Sequence, residues 1–266
     1  MILESQICDP EINITEIFLS LQGESSWAGL PTIFVRCCGC DLRCSYCDTT
    51  YAYSGGVKLH LREVLAKIMG LVLNWKKNLA SQLSGCEPYI LRNGKQIRLP
   101  IIEVTGGEPM IQSGTKTLLT ELSNTGYQVL LETNGAHDIS KLDERVIRIV
   151  DVKCPSSGET SKVFWKNLDF LRPNDELKFV IATKEDFYWA RDVIYSKKLW
   201  EKCALLVSWA RIPERNLTLT DQKKIPSDHT IISCEELADL VLQEGLPVRF
   251  QVQLQKVIWT NRDRGV

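Results

Sequence analysis

Short apolar runs rich in β-branched residues alternate along this chain with longer stretches of helical periodicity. Eight of these runs, bounded by turn residues, are predicted to be strands: Ile12–Leu19, Thr32–Cys37, Ile101–Thr105, Gln128–Glu132, Ile147–Val152, Leu177–Ile181, Cys203–Ser208 and Val248–Leu254. Helices are predicted at Leu61–Trp75, Gly114–Asn124, Lys184–Ser196 and Ser233–Glu244, the last with Ser233 as N-cap. The alternation predicts an α/β fold with a parallel sheet and crossover helices, either open or curled into a barrel.

One stretch interrupts this alternation. The polar, turn-rich segment near residues 78–98 is too long for an ordinary connection of about 2–6 residues, so it is interpreted as an insertion. A short hairpin is predicted within it, around Asn93-Gly94. Since no internal repeat or low-complexity linker divides the 266 residues, a single domain over residues 1–266 is expected.

Charge and hydropathy exclude several classes of protein. The chain has 32 Lys and Arg against 33 Asp and Glu, a formal net charge of -1, which disfavours nucleic acid as a partner. No apolar run approaches the roughly 20 residues that cross a bilayer, so no membrane partner is expected. The N-terminus lacks a basic region followed by an apolar stretch, and a cytoplasmic location is expected.

Ten cysteines are many for a chain of this kind, and half of them lie between Cys37 and Cys47. Without an export signal, metal binding, catalysis or burial explains them better than disulfides do. Cys40, Cys44 and Cys47 fall within eight residues directly after a predicted strand. Thiolates select zinc or iron-sulfur centres, and a 4Fe-4S cube normally takes one thiolate per iron. Three thiolates therefore leave one iron open, typically for S-adenosylmethionine.

Other interpretations of the cysteine loop remain at this point. A structural zinc site would recruit Cys37, Cys38 or Asp48 as a fourth ligand, and Cys44 and Cys47 have the spacing of a redox dithiol. Cys37 and Cys38 point to opposite faces of a strand, so at most one of them could reach a metal. Both are expected to be packed core thiols, as are the scattered cysteines Cys8, Cys86, Cys154, Cys203 and Cys234.

Polar residues cluster in the loops after three consecutive predicted strands: Gly106-Gly107-Glu108-Pro109, Glu132-Thr133-Asn134-Gly135 and the segment from Asp151 to Gly158. The carboxyl ends of parallel strands meet at one edge of a sheet, so these loops are expected to form the wall of one ligand site. In the first loop, Glu108 or nearby carbonyls would accept hydrogen bonds from the amino group of the methionine moiety. Gly-Gly-x-Pro is also an ordinary strand-to-helix turn.

Further candidates lie close to the cysteine loop. Arg36 ends the second strand, where it either caps a surface carboxylate or grips a substrate carboxylate with two parallel hydrogen bonds. Asp48-Thr49-Thr50 offers the hard oxygen atoms that Mg²⁺ prefers. The three histidines show no ligand spacing and are assigned no role.

With these motifs the chain resembles the 7-carboxy-7-deazaguanine synthases, radical S-adenosylmethionine enzymes of the 7-deazapurine (queuosine precursor) pathway. The resemblance extends over most of the chain and rests on Ser20-Leu21-Gln22-Gly23-Glu24, Arg36, Gly39 to Thr49, Thr105 to Pro109, Glu132 to Gly135, Lys153 to Gly158 and Gln253-Leu254-Gln255-Lys256. It implies an incomplete (β/α) barrel, usually a homodimer. The implied reaction is a lyase reaction, the radical conversion of 6-carboxy-5,6,7,8-tetrahydropterin to 7-carboxy-7-deazaguanine with loss of ammonia.

The resemblance also implies a role for each matching residue. Cys40, Cys44 and Cys47 would hold the 4Fe-4S cluster, and Thr49 would give its hydroxyl to Mg²⁺. The pterin would contact Leu21, Gln22, Gly23, Glu24, Arg36 and Thr105. S-Adenosylmethionine would contact Tyr46, Asp48, Gly107, Asp151, Val152, Lys153 and Lys178. An electron donor such as flavodoxin or ferredoxin would be a partner.

Two departures from the family pattern and two rival functions remain. Gln255 stands where many relatives carry histidine, and Val266 stands where some relatives place a terminal proline carboxylate on the substrate. A radical activase of a glycyl-radical partner protein would need a docking surface and no pterin pocket. A non-catalytic iron-sulfur or zinc-binding module would need a fourth cysteine ligand.

Overall fold

The computed structural model describes residues 9–79, 87–212 and 221–266, which form a mixed α/β fold around one large sheet. Its nine strands are β1 (Glu11–Leu21), β2 (Pro31–Cys37), β3 (Val57–His60), β6 (Ile101–Gly106), β7 (Val129–Thr133), β8 (Ile147–Asp151), β9 (Glu176–Ile181), β10 (Ala204–Trp209) and β11 (Arg249–Gln251). A separate hairpin consists of β4 (Tyr89–Arg92) and β5 (Lys95–Arg98). The helices are α1 (Leu61–Leu79), α2 (Thr115–Asn124), α3 (Lys184–Ser196), α4 (Cys234–Gln243) and α5 (Leu254–Ile258).

The strand order β11-β10-β9-β8-β7-β6-β2-β1-β3 leaves the sheet open, with β11 and β3 at its edges. The seven strands from β2 to β11 pair in parallel, as the alternation of strands and helices predicted. The sheet does not close into a ring, so the incomplete barrel predicted from the sequence is confirmed. The parallel prediction does not extend to β1 and β3, because β1 pairs antiparallel with both β2 and β3.

Alternation within the parallel strands gives the sheet two different faces. In β6, Ile102 and Val104 pack in an apolar cluster with residues of α1 and α2, and Thr105 points into a cavity on the other face. In β9, Leu177 and Phe179 pack with residues of α3 and α4. Successive side chains of a strand point to opposite faces, so each of these strands is buried on both sides. The helices thus cover one face of the sheet and leave the other to the cavity.

The helix boundaries follow their capping residues. Ser233 is the N-cap of α4, as predicted: its hydroxyl accepts a hydrogen bond from the Glu236 backbone at 3.1 Å, and the Glu236 carboxylate accepts one from the Ser233 backbone at 2.9 Å. This reciprocal arrangement satisfies two otherwise unpaired helix N–H groups. Past the other end of α4, Gly245 has a φ of 59°, which a glycine adopts without strain.

The predicted hairpin in the insertion is confirmed. Asn93 and Gly94 join β4 to β5 with φ values of 49° and 74°, the left-handed conformation that a two-residue hairpin turn requires. Its partly buried side chains Ile90 and Ile97 pack against the cluster formed by Trp27, Leu99 and Ile101, among others. Residues 80–86 of the insertion lie outside the described residues.

Two predictions at the edges of the sheet were incomplete. The predicted strand Val248–Leu254 ends three residues early, at Gln251, because a short helix begins at Leu254. β3 was not predicted, since its four residues are largely exposed and show no clear alternation.

In the described part of the chain, none of the helices has the length and apolar character needed to cross a membrane.

Candidate active site

A cavity of about 180 Å³ lies on the face of the sheet that the helices leave free. Every site residue predicted from the sequence lines it except Val152: Leu21, Gln22, Gly23, Glu24, Arg36, Cys40, Cys44, Tyr46, Cys47, Asp48, Thr49, Thr105, Gly107, Asp151, Lys153 and Lys178. These residues come from segments as far apart in the chain as positions 21 and 178. Their convergence makes this cavity the candidate active site.

The cysteine loop leaves the carboxyl end of β2 and lies directly beside the loop that follows β6. Gly107 donates its backbone N–H to Cys37 O at 3.0 Å, and Glu108 donates to Gly39 O at 2.7 Å. A Cβ atom on Gly107 would lie 2.1 Å from Gly39 O and 3.1 Å from the Cys40 Cβ, which no other residue could tolerate. The glycine is therefore required for the two loops to meet.

Cys40, Cys44 and Cys47 are free thiols, and all three line the cavity. Burial raises the pKa of Cys44 to about 11, and the nearby Lys153 ammonium opposes this by favouring the thiolate. Leu42 donates its backbone N–H to the Cys40 sulfur at 3.4 Å. The loop thus presents three sulfur ligands to the cavity in a partly positive environment.

Within the described ranges, no three His, Cys, Asp or Glu side chains converge on a point where they could share one metal ion. A structural zinc ion needs its ligands together at about 2.0–2.3 Å, whereas a cube distributes its thiolates over separate irons.

A segment that sequence reasoning missed lies across the cysteine loop. Gln222 donates its side-chain amide to Cys47 O at 2.9 Å, and Lys223 donates its backbone N–H to Arg43 O at 2.9 Å. The Lys223 ammonium pairs with Glu159 at 2.9 Å, and Glu159 in turn accepts from the Arg43 backbone at 2.7 Å. Nothing in the local sequence of residues 221–223 indicates this contact, because it depends on the tertiary fold.

Arg36 lines the cavity, and a hydrogen bond from its Nε atom holds the guanidinium group in place. Its Nε donates to Glu16 Oε1 at 2.8 Å across the β1–β2 pair, and Glu16 also accepts from the Tyr51 hydroxyl at 2.9 Å. The terminal Nη atoms of Arg36 make no hydrogen bond to any residue that the structure describes. Glu16 therefore orients Arg36 and leaves its two-pronged end available. Gly265 donates to Glu16 at 3.2 Å, and Val266 lines the cavity.

The buried Lys178 lies at the centre of three carboxylates, of which Asp151 is buried and Glu24 and Glu132 are half-buried. Its ammonium pairs with Glu24 at 3.0 Å, with Asp151 at 3.4 Å and with Glu132. Burial alone would raise the pKa of Asp151, but Lys153 and Lys178 offset it, so this pKa is lowered. The pKa of Glu24 is lowered in the same way, chiefly by Lys178. Lys178 therefore favours the ionised forms of Glu24 and Asp151, and it joins residues predicted for two different ligands.

The C-terminal segment closes one side of the cavity through Gln253 and Gln255. The Gln253 amide donates to Glu24 at 3.0 Å and to Asp48 at 2.9 Å, and Lys256 pairs with Asp48 at 2.7 Å. Burial opposes ionisation of Asp48, but Lys256 and Gln253 prevail and lower its pKa to about 2. A Cβ atom on Gly23 would lie 1.7 Å from the Gln255 side chain, so the glycine of the Gln-Gly-Glu motif makes room for this segment.

The motif at residues 20–24 lies at the opposite end of the sheet from the cysteine loop. Since β1 runs antiparallel to β2, Leu21 pairs with Pro31 at the amino end of β2, not at the carboxyl edge of the parallel strands. Glu24 nevertheless reaches Lys178, because the chain folds back across the open face of the sheet. The motif thus lines the cavity from the side opposite the cysteine loop.

Glu108 has a different role from the one expected for its side chain. The carboxylate is fully buried, and it accepts hydrogen bonds from Met110 N at 2.8 Å, Thr133 Oγ1 at 2.7 Å and Asn134 N at 2.6 Å. These bonds join the loop after β6 to the loop after β7. The side chain is therefore committed within the protein, and only the backbone of this loop faces the cavity.

Val152 also differs from the expectation, because its side chain packs in the apolar cluster behind β8 and β9. Its backbone N–H donates to Lys178 O at 2.8 Å.

Among the other cysteines, Cys37, Cys38, Cys154 and Cys203 are buried as expected, whereas Cys234 is half-buried at the start of α4. Cys8 and Cys86 lie outside the described residues.

Three glutamates of the site had no individual role in the sequence analysis. Glu103 and Glu132 line the cavity, and Glu16 holds Arg36 in place. The useful signal was present for Glu103, a lone acid in the apolar run Ile101–Thr105. Unpaired carboxylates are costly to bury, so an acid at such a position indicates a partner or a ligand. Glu16 shows no comparable signal, since β1 alternates polar and apolar residues along much of its length.

An open parallel sheet with a three-cysteine loop at its carboxyl edge defines a radical S-adenosylmethionine enzyme. The fold is shared with QueE from Escherichia coli, whose structure superposes with a TM-score of 0.61 at 17% identity over 92% of this chain and 94% of that one. The 7-carboxy-7-deazaguanine synthase of Koribacter versatilis is 35% identical over 256 residues, which are 96% of this chain and 100% of the relative. The 7-carboxy-7-deazaguanine synthase of Chlorobaculum tepidum is 34% identical over 261 residues, which are 96% of this chain and 97% of the relative. No family model matches the chain. The chain belongs to the family of 7-carboxy-7-deazaguanine synthases.

Proposed function

We propose that this chain converts 6-carboxy-5,6,7,8-tetrahydropterin into 7-carboxy-7-deazaguanine with loss of ammonia. Product and ammonia together contain all the atoms of the substrate, so the conversion requires no net oxidant or reductant. The observation that carries the proposal is one cavity with three free thiols at one side, an oriented arginine fork and a charged group around Lys178. Family membership supports the same conclusion.

Cys40, Cys44 and Cys47 would hold a 4Fe-4S cluster. The chemistry of the donor set supports this assignment, because three thiolates on a short loop leave one iron of the cube for a small-molecule ligand. When bound, the cluster and S-adenosylmethionine supply the adenosyl radical that takes a hydrogen atom from the substrate. The role of the polypeptide is to position the two ligands against each other and to exclude water.

S-Adenosylmethionine would contact Tyr46, Asp48, Gly107, Asp151, Val152, Lys153 and Lys178. One buried polar atom of this set supports the proposal, because the Tyr46 hydroxyl has no hydrogen-bond partner in the described part of the chain. Such an atom is costly to leave unpaired, and a polar ligand would satisfy it. Val152 would contribute through its backbone, since its side chain is packed in the core.

The pterin would contact Leu21, Gln22, Gly23, Glu24, Arg36 and Thr105. Arg36 would bind the substrate carboxylate through its free Nη atoms, because Glu16 already occupies Nε. Fixing the carboxylate in this way would hold the reacting carbon in place, which lowers the entropic part of the barrier. Gln22 would act mainly through its backbone, since its side-chain amide bonds to Glu24 N at 3.1 Å and to Glu103.

The proposal is tested with anaerobically reconstituted protein, a reductant, S-adenosylmethionine, Mg²⁺ and the carboxytetrahydropterin. We expect 7-carboxy-7-deazaguanine and ammonia in equal amounts. Cleavage of S-adenosylmethionine without this product would favour the activase of a glycyl-radical protein. A bound zinc ion without any cleavage would favour the non-catalytic module.

Replacement of Arg36 by alanine is expected to raise the KM for the substrate by about 100-fold, the order of magnitude for loss of a buried charge-assisted pair. Cluster content and S-adenosylmethionine binding should stay unchanged, because the hydrogen bond that fixes the Arg36 side chain goes to Glu16 and not to the cysteine loop. Steady-state kinetics and iron analysis measure the two effects. Arg62→Ala, which removes an exposed arginine of α1, serves as control. Loss of the cluster in Arg36→Ala would show that the residue has been misassigned.

Thr49 would coordinate Mg²⁺ shared with the substrate carboxylate, and its hydroxyl lies 3.8 Å from the Cys47 sulfur at the cavity wall. Thr49→Val keeps the shape of the side chain and removes the oxygen ligand. We expect the variant to lose the stimulation of product formation by Mg²⁺. Thr50→Val, one residue along and outside the cavity lining, should keep it. An unchanged response to Mg²⁺ in Thr49→Val would refute the assignment.

We propose further that residues 1–266 form one catalytic domain, since a single sheet takes strands from Glu11 to Gln251. A homodimer, an electron donor such as flavodoxin or ferredoxin and a cytoplasmic location stay predictions. Size-exclusion chromatography with light scattering tests the first of these.

A further inference from the structure

Glu103 is a buried acid on the cavity face of the central strand β6. Its neighbours Ile102 and Val104 pack in the apolar cluster on the helix side, so the Glu103 side chain points to the opposite face, where it lines the cavity. Only 2% of the residue is exposed. A carboxyl group buried to this extent is destabilising unless a partner or a ligand satisfies it.

The protein satisfies only one oxygen of this carboxyl group. Gln22 donates its amide N–H to Glu103 Oε2, and the Gln22 amide oxygen accepts from Glu24 N at 3.1 Å. Oε1 has no hydrogen-bond partner among the residues that the structure describes. Gln22 therefore fixes the orientation of the acid and leaves Oε1 and the second lone pair of Oε2 for a ligand in the cavity.

Burial and the neighbouring carboxylates favour the protonated form of Glu103. Burial raises the pKa of Glu103 well above its ordinary value, and the carboxylates of Glu132 and Glu24 raise it further against the opposing effect of Lys178 and Arg36. The Lys178 ammonium is already paired with three other carboxylates. Because Oε2 accepts a hydrogen bond from Gln22, the hydroxyl is on Oε1, and the acid offers a donor and an acceptor side by side.

The position of Glu103 along β6 places it deep in the cavity. Strand residues rise about 3.3 Å each, so Glu103 lies about 7 Å along β6 from Thr105, away from the strand end that meets the cysteine loop. In the parallel register Arg36 pairs with Thr105, and Phe34 pairs with Glu103 and also lines the cavity. A planar ligand with its carboxylate at Arg36 would therefore extend its opposite end towards Phe34 and Glu103.

We propose that Glu103 is a specificity-determining residue, whose carboxylic acid pairs with the aminopyrimidinone edge of a bicyclic substrate at the end away from Arg36. Both halves of that edge, the amino group with its ring nitrogen and the ring N–H with its carbonyl, present one donor beside one acceptor. The side-by-side donor and acceptor of Glu103 are complementary to either half. The inference rests on the proposed function, which supplies a carboxylated pterin as the ligand.

The test uses 6-carboxypterin, a fluorescent and unreactive analogue, with the reconstituted protein and S-adenosylmethionine. Glu103→Ala should weaken its binding by about 10- to 100-fold, the range expected when a buried hydrogen-bonding partner is removed. Glu103→Gln keeps a donor and an acceptor, and should bind within about threefold of the wild type. Binding of S-adenosylmethionine and the melting temperature should be unchanged in Glu103→Gln, and the exposed Glu63→Ala is the control for mutation as such.

The outcomes separate this inference from the proposed function. If the wild type does not bind 6-carboxypterin or form the deazaguanine product, the proposed function fails. If the wild type does both and Glu103→Ala binds the analogue equally well, only the role of Glu103 is refuted. If Glu103→Gln lost as much affinity for 6-carboxypterin as Glu103→Ala, the claim that Glu103 binds the ligand as a neutral acid would also be refuted. If Glu103→Ala does not fold, Glu103→Asp is used in its place. Aspartate is one methylene group shorter, so its carboxyl group lies further from the ligand, and we expect the same weakening of 6-carboxypterin binding.

Discussion

Replacement of Cys44 by alanine is expected to abolish both the iron-sulfur cluster and product formation. The thiol lies between the other two ligands in the chain and is mostly buried at the cavity wall, so no neighbouring group can substitute for it. The measurements are iron and sulfide content, the electron paramagnetic resonance spectrum of the reduced protein, and the amount of deazaguanine formed. We expect all three to fall to background.

Cys234→Ala is the matched control for this variant. Cys234 is a free, half-buried thiol at the start of α4, outside the cavity. Its replacement should leave cluster content and turnover unchanged, because it neither lines the cavity nor contacts the loop. A complete cluster in Cys44→Ala would contradict the three-thiolate site and with it the open iron on which the chemistry depends.

Replacement of Lys178 by methionine is expected to reduce product formation by two to three orders of magnitude. Methionine has a similar length, but it leaves Glu24, Glu132 and Asp151 without their common counter-charge. Breaking a buried ion pair by removing one partner costs about 3–5 kcal/mol. Since the carboxylates belong to the regions proposed for both ligands, we expect weaker binding of S-adenosylmethionine and of 6-carboxypterin alike.

The same variant should have a changed dependence of stability on pH. In the wild type, Lys178 lowers the pKa of Glu24 and of Asp151 against the effect of burial. Without Lys178, burial prevails at Glu24, and its folded-state pKa rises above that of the unfolded chain, whereas Lys153 still offsets burial at Asp151. The folded state then binds more protons, so the free energy of unfolding should fall as the pH rises from about 4 to 8.

Lys58→Met is the control for both measurements, because Lys58 forms only an exposed pair with Glu11 at 3.7 Å. Exposed pairs contribute about 0–1 kcal/mol, so its stability should follow the wild-type pH profile. If Lys178→Met bound both ligands normally, Lys178 would have a structural role alone.

The local motifs were predictable because each depends on residues close together in the chain. Three cysteines within eight residues already restrict the site to a thiolate centre, and the capping pattern at Ser233 and the Asn93-Gly94 turn are satisfied by hydrogen bonds of a few neighbouring residues. The alternation of strands and helices likewise indicated a parallel sheet. In the cysteine loop, the cap and the turn, the interactions that fix the structure join residues only a few positions apart in the sequence.

Other features required the tertiary structure. That Glu16 orients Arg36, or that Gln253 joins Glu24 to Asp48, depends on contacts between residues 20 to 229 positions apart. The direction of β1 also decides from which side Gln22 and Glu24 enter the cavity, and a strand pattern is the same for either direction.

The sequence by itself determined the kind of chemistry, because ligand type and spacing are local properties of the cysteine loop. Only the tertiary structure decided which charges face one another in the cavity. The ionisation of Glu24, Glu103 and Asp151 depends on burial and on neighbours that lie far away in the chain. Burial and electrostatic energy follow from distances in space, and those distances exist only once the sheet has folded.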